Sequence, residues 1–145
     1  MDVGYATGVF DLFHIGHVNI LRNARAMCDR LIVGVTVDEL VSYKNKRAVI
    51  PFEERIEIVR ACRYCDVAVP QESMDKMDAW QRYKFSVMFV GDDWYQHEKW
   101  KAFDKQFADV GVRIVYMPYT KSTSSTLINQ TLAQLRNQTM LDAAA

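Results

Sequence analysis

Two histidines lie three residues apart in the segment His14-Ile15-Gly16-His17, between an apolar run and a stretch with helical periodicity. Residues three apart share one face of a helical turn, so both imidazoles can point at one ligand. Gly16 leaves room for a phosphate to approach the backbone, and a helix N-terminus offers free N–H groups and a positive dipole end. The segment therefore predicts a phosphate site in which both rings donate hydrogen bonds as charge develops in a transition state.

The alternative interpretation of this segment is the start of a surface helix with two incidental histidines. The chain holds only three histidines, and two of them fall within this one turn. This concentration favours the phosphate site.

Alternating strand and helix patterns predict how the histidines are positioned. Continuous apolar runs with β-branched residues indicate buried parallel strands, and apolar residues at helical spacing indicate the helices between them. The pattern predicts a Rossmann-like, five-stranded parallel sheet with helices on both faces, in a single domain. We expect strands at 3–7, 30–36, 66–70, 85–90 and 112–117, helices at 16–28, 51–62, 73–84 and 98–110 and a last helix to about 136, with the domain at 1–136 and a frayed C-terminal tail at 137–145.

The composition excludes several classes of protein. The 145 residues carry a formal net charge of zero, so there is no global basic field for nucleic acid. No apolar run approaches the roughly 20 residues of a membrane span, and no signal peptide is visible, so we expect a cytoplasmic protein. Three cysteines do not make a disulfide framework, and Cys62 and Cys65 are interpreted as small residues in or near the core.

Three further polar stretches follow predicted strand ends, where ligands bind in open α/β sheets. The first, 44–47, is rich in positive charge and is either a solvated loop or a phosphate-binding one. The second, 91–94, carries two carboxylates that could hold Mg²⁺, accept hydrogen bonds from ribose or cytosine, or cap a helix. The third, 120–126, is rich in hydroxyls and opens a helix, which suits either phosphates or simple capping by Ser124.

The segment from Gly8 to His17, GVFDLFHIGH, resembles the G-x-F-D-x-x-H-x-G-H signature of the HxGH nucleotidyltransferases. Within them the chain looks most like the small glycerol-3-phosphate cytidylyltransferases of cell-wall and capsule synthesis, and the likeness extends to about residue 130. The resemblance implies an enzyme that uses CTP with Mg²⁺ and a phosphorylated small alcohol, and that releases pyrophosphate. Glycerol 3-phosphate would give CDP-glycerol. The resemblance also implies a homodimer.

The resemblance implies a role for each candidate residue. His14 and His17 would hold the α-phosphate and the bridging oxygen, and Lys44 and Lys46 would reach the triphosphate, so these four form the catalytic set. Arg55 and Arg63 would bind the acceptor. The nucleotide-binding set comprises Gly8, Val9, Phe10, Asp11, Gly16, Gly91, Asp92, Asp93, Trp94, Thr120, Lys121, Ser124 and Ser125.

One stretch departs from the family pattern. The family motif R-T-x-G-I-S-T-S/T has arginine where this chain has Tyr119, and Ser122 and Thr123 replace its Gly-Ile pair. The departure leaves open which acceptor is used and whether the nucleotide is CTP or ATP. The metal ligands are not identified by the sequence. Two alternatives stand beside the glycerol 3-phosphate reading. One is the same chemistry on phosphoethanolamine, phosphocholine or a sugar phosphate, and the other is a catalytically silent nucleotide-binding module.

Overall fold

A computed structural model describes residues 1–42, 47–91, 98–118 and 125–144. The described strands form the five-stranded parallel sheet that the sequence predicts, and their order is β3-β2-β1-β4-β5. None of the described helices combines the length and the apolar character that crossing a membrane requires. In chain order, the elements are β1 (Val3–Gly8), α1 (Ile15–Ala26), β2 (Arg30–Thr36), α2 (Asp38–Ser42), α3 (Phe52–Ala61), β3 (Val67–Gln71), α4 (Lys76–Tyr83), β4 (Val87–Gly91), α5 (Glu98–Asp109), β5 (Arg113–Met117) and α6 (Ser125–Ala144).

Side chains alternate between the two faces of the sheet, and each face carries its own apolar cluster. On one face, Ala6 and Val33 pack with Leu21 of α1 and Val59 of α3. On the other face, Tyr5 and its neighbours pack with α4, α5 and the segments beside them. The sheet is therefore covered by helices on both sides, and polar groups are left to its edges. Cys62 and Cys65 are half-buried free thiols that pack against the first cluster.

Two predicted boundaries differ from the structure for identifiable reasons. We expected Pro70 to end the third strand, but β3 continues to Gln71. β3 lies at the edge of the sheet, where proline's missing N–H costs no ladder hydrogen bond. We expected a frayed tail from residue 137, but α6 continues to Ala144. Residues 137–144 contain neither glycine nor proline and several good helix formers, so nothing in them ends the helix.

Strands β1 and β4 separate near their carboxyl ends. Pairing between β1 and β4 ends at Ala6 and Phe89. By contrast, β1 stays paired with β2 as far as Gly8, and β4 with β5 as far as Gly91. A crevice therefore opens between β1 and β4 at the carboxyl ends of the strands. It is also the point where the strand order reverses, which is where open α/β sheets bind ligands.

Candidate active site

The turn between β1 and α1 has an unusual backbone. Phe10 and Leu12 both adopt left-handed conformations, with φ of 55° and 51°. This region costs a residue with a side chain roughly 1–2 kcal/mol, so the surrounding structure must impose it. Three contacts do so. The Thr36 hydroxyl donates to the Gly8 carbonyl at 3.2 Å, Arg55 donates to the Val9 carbonyl at 2.7 Å, and the Ser125 hydroxyl donates to the Asp11 carbonyl.

The two histidines lie side by side at the N-terminus of α1, as their spacing predicts. Their ring centroids are 4.0 Å apart. Nδ1 of His14 accepts the Gly16 N–H at 3.0 Å, and Nδ1 of His17 accepts the His14 N–H at 3.2 Å. A neutral imidazole that accepts at Nδ1 carries its hydrogen at Nε2. Both rings therefore offer an Nε2–H donor at the N-terminus of α1.

Both histidines are held in the neutral form. Burial lowers the pKa of His17 to about 4, with a smaller contribution from neighbouring His14 and an opposing one from Asp11. Phe10 and Phe13 supply this apolar environment, since each ring centroid lies 5.3 Å from that of His17. Burial also lowers the pKa of His14. Near neutral pH the pair acts as hydrogen-bond donors rather than as cations.

Asp11 connects the turn to the segment before α3. Its side chain is buried, and its two oxygens accept the N–H groups of Val49 and Ile50 at 2.8 and 3.0 Å. These bonds hold residues 49–50 against the β1–α1 turn. The predicted contact of Asp11 with a nucleotide stays a prediction, and the structure adds a positioning role to it.

Arg55 is the most heavily bonded side chain near the turn, and its side chain is completely buried. Its guanidinium donates to the carbonyls of Ile50, Val9 and Thr36 at 2.7–2.8 Å and to the Asp38 carboxylate at 2.6 Å. Burial opposes the charge on Asp38, but hydrogen bonds from the Phe52 amide and from Arg55 prevail and lower the pKa of Asp38. This geometry favours a positioning role for Arg55 over the direct acceptor contact predicted from sequence.

The structure does not bring Arg63 together with the histidines. Arg63 is exposed and follows the C-terminal end of α3. The neighbouring Asp66 exchanges hydrogen bonds with Leu31, near the start of β2. α3 is about 15 Å long and runs antiparallel to the strands, so its C-terminal end lies at the edge of the sheet away from the site. The predicted contact of Arg63 with the acceptor stays a prediction.

Two residues of the site were missed by sequence reasoning. Thr36 holds the Gly8 carbonyl, and Lys76 of α4 is a buried lysine whose Nζ lies 3.3 Å from the Thr7 hydroxyl. A lysine at the first position of a helix opposes the helix dipole, and this was a signal that could have identified it. Thr36 carried no such signal.

Several predicted site residues lie outside the described residues. Within the described part, Gly8 ends β1, Gly16 is buried in the first turn of α1, Gly91 ends β4 and Ser125 begins α6, all at the same edge of the sheet. The described residues contain no group of three or more His, Cys, Asp or Glu side chains that could hold a metal ion. Those outside the described part are Lys44, Lys46, Asp92, Asp93, Trp94, Thr120, Lys121 and Ser124.

The chain is similar to several known proteins over most of its length. The Cytidylyltransferase-like family matches residues 5–131. Glycerol-3-phosphate cytidylyltransferase of Staphylococcus aureus is 32% identical over 126 residues, covering 86% of this chain and 90% of that protein. FAD synthase of Archaeoglobus fulgidus is 37% identical over 95 residues, covering 66% of this chain and 69% of that protein.

A solved structure shares the fold. The lipopolysaccharide core biosynthesis protein of Thermoplasma volcanium superposes with a TM-score of 0.70 at 22% identity, covering 85% of this chain and 99% of that one. The match of the family over most of the chain, together with the histidine pair at the switch point of a parallel sheet, identifies the activity class. The chain belongs to the cytidylyltransferase-like family and is a nucleotidyltransferase.

Proposed function

We propose that this nucleotidyltransferase transfers CMP from CTP to glycerol 3-phosphate, giving CDP-glycerol and pyrophosphate. One observation carries the proposal. Two neutral imidazoles, 4.0 Å apart, present Nε2–H donors at a helix N-terminus beside the switch-point crevice. That arrangement suits the α-phosphate of a nucleoside triphosphate. The similarity to glycerol-3-phosphate cytidylyltransferases supports the choice of CTP and of the acceptor.

The reaction needs positioning more than proton transfer. An oxygen of the acceptor's phosphate attacks the α-phosphorus of CTP, and the bond from that phosphorus to the bridging oxygen breaks as pyrophosphate leaves. The acceptor phosphate is already largely dianionic near pH 7, so no general base is required. Catalysis then consists of alignment and of stabilising negative charge on the equatorial and bridging oxygens. The two Nε2–H groups would donate to these oxygens.

The remaining residues divide into those that hold the turn and those that hold the nucleotide. Arg55 and Asp11 fix the β1–α1 turn, so the histidines keep their orientation. Lys44 and Lys46 would neutralise the triphosphate, and Ser125 begins the helix that would face its far end. Mg²⁺ would offset the charge of the triphosphate. Asp92 and Asp93, which lie outside the described residues, could hold this ion or accept hydrogen bonds from ribose or cytosine.

The proposal is tested by coupled pyrophosphate release. Purified protein with Mg²⁺ is given each of CTP, ATP, UTP and GTP, with and without glycerol 3-phosphate, and the product is identified by ³¹P NMR. We expect acceptor-dependent release with CTP and a diphosphate diester product. CTP binding with no release for any acceptor would instead indicate a silent nucleotide-binding module.

An acceptor panel addresses the nearer alternative. Phosphoethanolamine, phosphocholine and sugar phosphates are compared with glycerol 3-phosphate by kcat/KM. A higher value for any of them would replace glycerol 3-phosphate as the substrate.

The homodimer is part of the same proposal, and light scattering on the purified protein tests it.

A further inference from the structure

A groove separate from the nucleotide crevice lies between the end of β3 and α4. Its volume is about 490 Å³, and it is lined by residues 70–73, by one side of α4 and by Tyr5 of β1. Tyr5 belongs to the face of the sheet opposite α1 and the histidine pair. Residues 8–17, all of which the structure describes, take no part in the lining. The groove is therefore a second cavity, with a volume typical of small-molecule sites.

Tyr5 places its hydroxyl in this groove. Its ring is stacked between two aromatic neighbours, with centroids 4.8 Å from that of Phe85 and 5.8 Å from that of Tyr83. The hydroxyl oxygen lies over Gly34, where a Cβ atom would collide with it. Glycine at position 34 makes this close approach possible, and the two neighbouring rings fix the direction of the hydroxyl.

The Tyr5 hydroxyl has no hydrogen-bond partner among the described residues. Tyr5 is only 1% exposed. In the part of the chain that the structure describes, no polar side-chain atom is both sealed from solvent and unpaired, so the remaining exposure of this hydroxyl is towards the groove. A nearly buried hydroxyl without a protein partner calls for one from outside the chain, and the groove is where a ligand can supply it.

The rim of the groove is negatively charged. Among the described lining residues, Glu72, Asp75 and Asp78 contribute carboxylates, and Arg82 contributes a guanidinium. These four residues are exposed, so they can contact a ligand at the mouth of the groove. Asp78 accepts the Ser73 hydroxyl at 3.1 Å, and a carboxylate that accepts one hydrogen bond has lone pairs left for a second donor.

We propose that this groove binds a small hydroxylated ammonium compound, such as an amino sugar, with its ammonium among the rim carboxylates and a hydroxyl bonded to Tyr5. Burial raises the pKa of Tyr5, so its phenol stays neutral and can both donate to and accept from a ligand hydroxyl. The negative rim attracts an ammonium and repels phosphate groups. The site is therefore additional to the one for CTP and its phosphorylated acceptor.

Isothermal titration calorimetry with glucosamine, glucose and cyclohexylamine tests the site. Glucose has a hydroxyl in place of the ammonium, and cyclohexylamine keeps an ammonium without the hydroxyls. We expect glucosamine to bind with a Kd about tenfold lower than that of either compound, because each of them loses hydrogen bonds that glucosamine forms. The Kd for glucosamine should be the same with and without saturating CTP.

Two variants and two matched controls make the test specific. Tyr5→Phe removes only the hydroxyl and Asp78→Asn removes one charge, and each should raise the Kd for glucosamine about tenfold. Because the Tyr5 hydroxyl has no described partner, Tyr5→Phe should keep or raise the thermal midpoint, which a purely structural role would not allow. The controls are Tyr64→Phe, which lies on the other face of the sheet, and the exposed Asp109→Asn at the end of α5. Neither should change the Kd.

The site is overturned if glucosamine binds wild-type protein no better than glucose and cyclohexylamine. Equal affinity for glucosamine in wild type, Tyr5→Phe and Asp78→Asn overturns it as well. If Tyr5→Phe does not fold, Asp78→Asn and the three compounds still decide.

Two further outcomes distinguish this groove from other locations and occupants. His17→Ala should bind glucosamine with wild-type affinity, and a loss of binding there would place the compound in the nucleotide crevice and overturn the inference. A protein that is dimeric by light scattering and binds no glucosamine would indicate that a second copy covers the groove, which overturns it too. None of these measurements requires pyrophosphate release, so they are independent of the proposed function.

Discussion

At the scale of single residues, the chemistry depends on which nitrogen of each histidine is free. Backbone amides occupy Nδ1 of both His14 and His17, so the hydrogens are directed through Nε2. Preorganised donors of this kind act mainly on the charge that develops in the transition state. The two rings are therefore expected to contribute to turnover more than to nucleotide affinity.

Replacing either ring with alanine tests this expectation. His14→Ala and His17→Ala should each lower kcat by about two to three decades, with little change in the affinity for CTP. Steady-state pyrophosphate release gives kcat, and isothermal titration with CTP gives the affinity. If both folded variants keep near wild-type turnover, the histidines are not the catalytic donors.

The lowered pKa of His17 predicts a pH dependence of stability. The folded-state pKa of about 4 lies below the ordinary value of 6.5, so the unfolded chain binds the proton more tightly. The stabilisation is complete above pH 6.5 and is lost as the pH falls towards 4. Allowing for partial exposure of the ring, the free energy of unfolding should fall by about 1 kcal/mol from pH 7 to pH 5.

Urea unfolding at the two pH values measures this change, and His17→Gln is the control. Glutamine does not titrate, so the variant should show a smaller decrease between pH 7 and pH 5. An equal decrease in both proteins would assign the pH dependence to other groups. His14 also titrates below its ordinary range, so part of the decrease should persist in the variant.

The residues of the site were predictable to different degrees. The proximity of His14 and His17 follows from spacing within one helical turn, which sequence states directly. The burial of Arg55 does not follow from local spacing, because its partners Val9 and Thr36 are distant in the chain. A single sequence shows which residues can donate hydrogen bonds but not which carbonyls the fold will place beside them.

At the scale of elements, the Arg55 side chain connects three segments of the chain through hydrogen bonds. It bonds to the turn after β1, the end of β2 and the segment that leads into α3, while Asp38 at the start of α2 supplies the countercharge. Removing the guanidinium from such a network leaves buried carbonyls without this donor and the Asp38 carboxylate without its countercharge. The two arginines that sequence reasoning treated alike should therefore behave differently.

A matched pair of substitutions separates the two arginines. Arg55→Lys cannot reproduce the planar fork and should lower the free energy of unfolding by roughly 2–4 kcal/mol. Arg63→Lys changes an exposed residue and should stay within about 0.5 kcal/mol of wild type. Urea unfolding monitored by circular dichroism gives both values. Equal effects would mean that the Arg55 network does not support the site in solution.

The elements themselves were mostly predictable, and the exceptions depend on sheet position. The continuous apolar run of β2 indicated a buried parallel strand and its bounds agree with the structure, because both faces of that strand are covered. The predicted end of β3 at Pro70 did not agree with the structure. Whether a proline ends a strand depends on whether that strand lies at the edge of the sheet. Edge position belongs to the topology and is not visible in the five residues of the strand.

At the scale of the whole molecule, the site is assembled from segments that are far apart in the chain. The turn at 8–13 is bonded to Thr36, to residues 49–55 and to Ser125. These contacts connect the N-terminal strand to the start of the last helix across the carboxyl edge of the sheet. A ligand that bridges them binds only the folded chain, so its binding free energy adds to global stability.

Nucleotide binding should therefore raise the thermal midpoint, with a preference for the correct base. At a concentration of CTP about 100 times its Kd, the folded state gains about 2.7 kcal/mol, or roughly 9 °C for a chain of this size. Differential scanning fluorimetry with Mg²⁺ and equal concentrations of CTP, UTP and ATP measures the shift without requiring turnover. We expect the largest shift with CTP. The His14→Ala variant should keep most of this shift, because the Nε2–H donor of His14 acts mainly in the transition state. Equal shifts with all three nucleotides would show that the site recognises the triphosphate and not cytosine, and a larger shift with ATP would replace CTP as the substrate.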